Sequence, residues 1–192
     1  MIKYQPTLMA AKYTESPEDE LTISEVLFDR LYWDALDDGT ITDEEIIEAS
    51  KKRLPERYHT LLPKIYYNWI YNLPEVEGMN ALVASLRAKY GVGIFLLSNI
   101  SEYFADNAGE IRALKHFDRC FFSAKMGLTK PDPEIFLTVC REVSTDPSEA
   151  LFIDDSAKNI EGAKSAGLTT YLFDGDAKKL EEYLAEVLCR EN

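Results

Sequence analysis

Two adjacent carboxylates, Asp154-Asp155, close the short apolar run Leu151-Phe152-Ile153 and lead through Ser156 into a segment with small residues at Gly162, Ala163, Ala166 and Gly167. Neighbouring aspartates repel, and desolvating both calls for a cation or a shared proton nearby. Oxygen-only ligands of this kind suit Mg²⁺. Two solvated carboxylates capping the next helix are the alternative reading of the same residues. A second apolar run, Ile94-Phe95-Leu96-Leu97, ends in Ser98-Asn99, whose hydroxyl and amide suit phosphate oxygens or, equally, a helix cap. Downstream of Cys120-Phe121-Phe122 comes Lys130-Pro131-Asp132-Pro133-Glu134. Its two prolines stiffen the chain and Pro133 suits a first helical turn, so Lys130 is a cation held on a rigid approach.

These residues need elements to hold them, and the pattern beyond Pro74 supplies a series. It predicts a helix over Met79–Tyr90, a strand over Ile94–Leu97, a helical stretch through Ile111 and Leu114, and a strand over Cys120–Phe122. A helix over Pro133–Val143 follows, then a strand over Leu151–Ile153, a helix over Ala157–Ala166, a strand over Thr169–Phe173 and a helix over Ala177–Leu188. Alternation of this kind predicts an α/β fold, a Rossmann-like parallel sheet with helices on both faces and a site at the strands' carboxyl ends. Residues before Pro74 are helical in pattern: Ser24–Asp34 is periodic, Thr42-Asp43-Glu44-Glu45 is a capping box, and Glu56–Tyr71 carries leucines and aromatics at helical spacing. Tyr32, Trp33, Tyr66, Tyr67 and Trp69 are expected in the core of that helical part.

Composition excludes several classes of function. The chain has 192 residues, 34 acidic and 21 basic, a formal net charge of −13. That balance repels phosphate backbones and anionic lipid, so neither nucleic acid nor a membrane is an expected partner. No stretch suits a bilayer, and Met1-Ile2-Lys3-Tyr4-Gln5-Pro6 has no signal-peptide core. Three scattered cysteines, Cys120, Cys140 and Cys189, fit inert core thiols in a reducing, cytoplasmic setting. His59 and His116 lack a nucleophile pattern, which excludes a Ser-His-Asp or Cys-His engine. Oligomeric state stays open, since an aromatic-rich helix suits either an internal core or a partner subunit.

Taken together and in this order, Ser98-Asn99, Lys130-Pro131-Asp132-Pro133-Glu134 and Asp154-Asp155-Ser156 resemble motifs two, three and four of the haloacid dehalogenase (HAD) superfamily. The run Trp33-Asp34-Ala35-Leu36-Asp37-Asp38-Gly39-Thr40-Ile41-Thr42 is similar to the cap of its sugar-phosphatase-like branch and to the N-terminal phosphatase domain of soluble epoxide hydrolases. The resemblance implies a small helical cap over residues 5–72 and an HAD-like α/β core from residues 1–4 and 73–192. It implies a phosphatase acting by covalent phosphoryl transfer on a small phosphorylated metabolite, a phosphomonoester of sugar-phosphate type. Ser98 would hydrogen-bond the transferring phosphoryl, Asn99 would sit beside it, and Lys130, the catalytic lysine, would neutralise charge on phosphoryl and nucleophile. Asp155 would bind Mg²⁺ directly, and Asp154 directly or through water.

The resemblance departs at its first motif. The family places an apolar strand ending in Asp-x-Asp near the amino terminus; the second aspartate protonates the leaving group and then activates water. Here Tyr4-Gln5-Pro6 comes directly after Met1-Ile2-Lys3, and a missing coding segment near Lys3 or a genuine loss of catalysis would each explain it. Asp37-Asp38-Gly39-Thr40 has leucine, Leu36, where the nucleophile belongs, and Asp174-Gly175-Asp176 comes after motif four, where a turn and helix cap are expected. Since the first strand is the family's central one, the sheet is expected to lack its middle, at a large cost in backbone hydrogen bonds. The expectation is an HAD-like phosphatase by family that is inactive as the chain stands. The alternative is a catalytically dead HAD-fold binding or regulatory protein. A metal-free 2-haloacid dehalogenase is disfavoured by the diacid, which that class replaces with a serine-rich segment.

Overall fold

The protein was analysed as a computed structural model, which describes residues 5–71 and 74–189. The expected core segment 1–4 and the boundary residues 72–73 lie outside the described residues. The amino-terminal part is helical: α1 (Pro6–Ala11), α2 (Pro17–Leu27), α3 (Arg30–Asp37), α4 (Asp43–Arg53) and α5 (Leu62–Asn68), with 3₁₀ turns at Glu56–Tyr58 and Trp69–Tyr71. The periodic stretch Ser24–Asp34 is therefore two helices, not one. Asp29 makes the break, its carboxylate accepting the Leu31 N–H at 3.0 Å to cap α3. The stretch Glu56–Tyr71 is likewise divided, because Pro63 can stand only in the first turn of α5. The capping box is formed as expected: Glu45 N–H donates to Thr42 Oγ1 at 3.1 Å, and Thr42 N–H donates to Glu45 Oε2 at 2.8 Å.

Aromatic side chains close the core of this helical part. Trp33, Tyr66 and Trp69 are buried, with Trp33–Trp69 ring centroids 5.4 Å apart and Trp69–Phe104 centroids 5.1 Å apart. Tyr32 and Tyr67 pack against the same cluster, so all five aromatics serve a core. Phe104 and Ile100 lie beyond Pro74, so the cluster also fastens these helices to the α/β part of the chain.

Beyond Pro74 the elements are α6 (Met79–Tyr90), β1 (Phe95–Ser98), α7 (Glu102–Asn107), β2 (Arg119–Phe122), α8 (Ser123–Met126) and α9 (Pro133–Glu142). Then come β3 (Leu151–Asp154), α10 (Ala157–Ser165), β4 (Thr169–Leu172) and α11 (Ala177–Leu188). The stretch through Ile111 and Leu114 forms 3₁₀ turns rather than an α-helix. Asp176 caps α11 by accepting the N–H groups of Lys178 and Lys179, and Asp174 pairs with Lys179 at 2.6 Å. Asp174-Gly175-Asp176 is thus a turn and a cap. Of the three free cysteines, Cys140 is buried and Cys120 half-buried, with both thiols pushed up by burial. Cys189 is exposed, because it stands just past the end of α11.

Among the described residues the strands form two separate parallel pairs, β1 with β2 and β3 with β4, and no strand lies between β1 and β3. Successive strand side chains point to opposite faces. Leu151 and Ile153 accordingly join the cluster built by α6 and α11, while Phe152 joins the cluster built by α9 and α10. Helices therefore cover both faces.

One close approach sets the position of the Lys130 segment. A Cβ on Gly162 of α10 would lie 2.1 Å from the Pro131 carbonyl oxygen, so only glycine lets the helix meet that backbone. Gly162→Ala is expected to cost about 2 kcal/mol or more in urea unfolding. Unchanged stability would show that helix and segment do not meet this way.

Candidate active site

Ser98-Asn99 and Asp154-Asp155 stand at the carboxyl ends of β1 and β3, and Lys130, in the segment between α8 and α9, binds the two together. Its Nζ donates to Asp154 Oδ2 at 2.8 Å and to the Leu97 carbonyl oxygen at 3.0 Å, and it stands 5.6 Å from the centre of the Phe152 ring. Both side chains of the ion pair are only 9% exposed. Asn99 holds the lysine from behind: its Oδ1 accepts the Lys130 N–H at 2.9 Å and its Nδ2 donates to the Lys130 carbonyl oxygen at 2.9 Å. Asp132 then starts α9 by accepting the Glu134 N–H at 2.9 Å. The amide of Asn99 is thus spent on positioning Lys130. Ser98 lies one residue earlier, its hydroxyl donating weakly to the Asn99 carbonyl oxygen at 3.4 Å.

The two carboxylates of the diacid differ sharply. Asp154 Oδ1 accepts the Ser156 N–H at 2.9 Å and Asn159 Nδ2 at 3.0 Å, so both of its oxygens are engaged. Asp155 is exposed, and among the described residues its carboxylate has no hydrogen bond or ion pair. Ser156 caps α10 through a 3.4 Å bond from the Asn159 N–H, so the capping role falls to the serine.

The helical part contributes a residue that the sequence places only in the cap-like run and in a motif set aside as nucleophile. Asp37, at the end of α3, is 8% exposed and lines the same cavity as Lys130 and Asp154. Its backbone carbonyl accepts the Ser123 hydroxyl at 3.0 Å, while its buried Oδ1 has no partner among the described residues. Burial pushes its carboxyl up to about 7, with Arg30 pulling it down and Asp34 and Asp38 pushing it further up; Lys130 also pulls it down. Its neighbour Asp38 accepts the Thr129 hydroxyl at 2.7 Å, tying α3 to the segment that carries Lys130. Only tertiary burial separates Asp37 from Asp38, and no sequence pattern signals it. The cavity lined by Asp37, Ser98, Asn99, Lys130, Asp154 and Asp155 has a volume of about 1460 Å³.

The carboxylates here are oxygen donors of the kind Mg²⁺ takes. No group of three metal-ligating side chains occurs among the described residues. Mg²⁺ does not need one, since it commonly takes one or two carboxylates and fills its octahedron with water and substrate phosphate oxygens. The open carboxylate of Asp155, next to an Asp154 locked in place, fits that mode.

A family model described as haloacid dehalogenase-like hydrolase matches residues 27–167. This chain belongs to that family. The match includes Ser98, Lys130 and the diacid, and extends back through α3. Among curated relatives, the D-ribitol-5-phosphate phosphatase of Bacteroides thetaiotaomicron is 34% identical over 96 residues, 46% of this chain and 46% of its own length. The phosphorylated carbohydrates phosphatase of Thermotoga maritima is 26% identical over 122 residues, 64% of this chain and 55% of its own length. Mouse acyl-CoA dehydrogenase family member 10 is 29% identical over 148 residues, which are 75% of this chain but 14% of that protein. The chain thus spans about half or less of the length of these relatives. An HAD family enzyme of B. thetaiotaomicron, an aspartate-to-alanine mutant in complex with magnesium and inorganic phosphate, superposes with TM-score 0.65 at 21% identity. That superposition covers 93% of this chain and 92% of the enzyme. It shows a shared HAD fold.

The raised carboxyl of Asp37 makes stability depend on pH. A carboxyl raised from 3.8 to about 7 contributes stability that is fully present below 3.8 and lost as pH rises through about 7. Asp37→Asn is expected to flatten the decline between these limits and to be the more stable protein at pH 8, by about 4 kcal/mol at most. Urea midpoints measured across that range check it, and parallel curves for the two proteins would refute the burial of this group.

Proposed function

We propose that this chain is a phosphatase-type HAD protein that binds small phosphomonoesters of sugar-phosphate type and Mg²⁺, and that residues 1–192 alone do not hydrolyse them. The observation that carries this reading is the Lys130–Asp154 pair, held by Asn99 at the joint carboxyl end of β1 and β3, with the open carboxylate of Asp155 beside it. Lys130 supplies positive charge to phosphate oxygens, and the Ser98 hydroxyl, only weakly engaged, is free to turn toward them. Mg²⁺, when bound at Asp155, screens repulsion between the acidic site and an anionic substrate. Among the described residues no Asp-x-Asp ends a strand facing Lys130, so nothing there attacks phosphorus. Asp37, buried and on a helix, is the residue of the helical part best placed to meet the rest of the substrate. Residues 5–71 act here as a cap over the site, as in the sugar-phosphatase-like branch.

A phosphatase named for phosphorylated carbohydrates and another named for a sugar-alcohol phosphate support the substrate class. The diacid, with the open carboxylate of Asp155, weighs against metal-free dehalogenation. The test combines binding and turnover. The purified chain is expected to show no release from p-nitrophenyl phosphate with Mg²⁺, yet to bind inorganic phosphate in calorimetry. Mg²⁺ should raise phosphate affinity, and Asp155→Asn should remove that gain, about tenfold or more. Turnover that Asp155→Asn abolishes would overturn the inactivity, and absence of phosphate binding would overturn the site.

A further inference from the structure

A carboxyl taken out of water needs a proton, a cation or hydrogen-bond donors in exchange. Asp37 has lost its water, at 8% exposed, and among the described residues its Oδ1 has no hydrogen bond and no basic side chain pairs with it. The two cations whose charge it feels are spent elsewhere: Arg30 on Asp34 at 2.8 Å and Lys130 on Asp154 at 2.8 Å. Ser123 donates to the Asp37 backbone carbonyl, which leaves the carboxyl untouched. The position deepens the deficit. Asp37 is the last residue of α3, and a helix carries partial negative charge at that end, where cations are favoured. The last turn holds no basic residue; instead Asp34 and Asp38 stand beside Asp37 and add their own negative charge.

This acidic helix end looks onto the Lys130–Asp154 pair. Asp37 lines the cavity that Ser98, Lys130 and Asp155 also line, and Asp38 is tied to Thr129, the residue before Lys130. Trp33 and Trp69 line it from the same helical part, and an apolar wall strengthens any charge interaction made beside it. The outer torsion of an aspartate is soft, so either carboxyl oxygen can be turned to the cavity. A hydroxyl placed at Asp37 would supply a hydrogen bond but leave the negative charge uncompensated. An ammonium supplies both, through charge-assisted bonds about twice as strong as neutral ones.

We infer that Asp37 is the receptor for an ammonium group on the ligand, so that the chain selects zwitterionic phosphomonoesters, the phosphate esters of amino alcohols or amino sugars. This rests on the phosphate reading of Lys130 and narrows it: the phosphoryl end lies at Lys130 and Asp155, and the amine at the end of α3. Asp37 is then a specificity-determining residue, and its missing partner is the ligand's own cation. The diol or polyol ester of the same length, which lacks that cation, leaves the carboxyl uncompensated and binds more weakly.

The test is calorimetry on the full 192-residue chain with Mg²⁺, using aminoethyl, aminobutyl and aminohexyl phosphate and, for each, the matched ester with a hydroxyl in place of the amine. At one of these lengths or more, the amino ester is expected to bind at least about tenfold more tightly than its match. Asp37→Asn, which replaces the carboxyl atom for atom, should abolish that gain. It should leave inorganic phosphate and the hydroxyl esters within about twofold of their affinity for the unaltered chain, which also shows that the variant is folded. Amino esters no tighter than their matches at every length, with inorganic phosphate still bound, would overturn this inference alone. A gain that survives Asp37→Asn would overturn it as well. No binding of any ester or of inorganic phosphate to the unaltered chain would overturn the phosphate reading and this inference with it.

Discussion

The architecture depends on the buried ion pair between Lys130 and Asp154. It is the contact that spans the gap between the two strand pairs at their carboxyl ends, since the same ammonium also holds the Leu97 carbonyl. Burying such a pair gains little by itself, because desolvation offsets the attraction, but removing one partner leaves a stranded charge. Its geometry is therefore over-determined: Asn99 grips the lysine backbone, Ser156 and Asn159 grip the carboxylate, and Gly162 lets α10 close on Pro131. The same restraints hold the two strand pairs together at the end where, among the described residues, no strand lies between them, and they fix the Lys130 ammonium in place.

Much of this was readable in the residues. The helices Met79–Tyr90 and Ala177–Leu188 form with the expected bounds, because Gly91 stops the first and Asp176 starts the second by local chemistry. The strand positions and the layering of helices on both faces also follow from the alternation of apolar runs. Two of the motifs meet because they end strands that run the same way, and Lys130 joins them through its bonds to Asn99 and Asp154. What was not readable depends on contacts across the chain. The apolar period runs through Ser24–Asp34 without interruption, and only the cap made by Asp29 divides it. Asn99 looks like a phosphate ligand until its amide is seen on Lys130. Asp37 and Asp38 are equivalent in sequence, yet one is buried and the other exposed.

The helical part is coupled to the site rather than resting beside it. Asp37 and Asp38 end α3 against Ser123 and Thr129, and Asp43 accepts the Ser101 hydroxyl at 2.8 Å just beyond β1. With Phe104 embedded in the aromatic core, motion of these helices would be felt along the segments that carry Ser98 and Lys130. The helical part thereby shares its supports with the Lys130–Asp154 pair.

The acidic composition also acts on the open sheet edges. Unpaired strand edges are templates on which chains can pair with one another, and folds usually protect them with charge or cover. Here helices shield the inner edges from above and below, but leave backbone groups such as those of Leu151 and Ile153 without a strand partner among the described residues. A net charge of −13 makes each molecule repel its copies at long range. The excess of carboxylates thus serves as a colloidal guard, and that guard weakens as salt screens it or as acid brings the chain toward its isoelectric point of about 4.6.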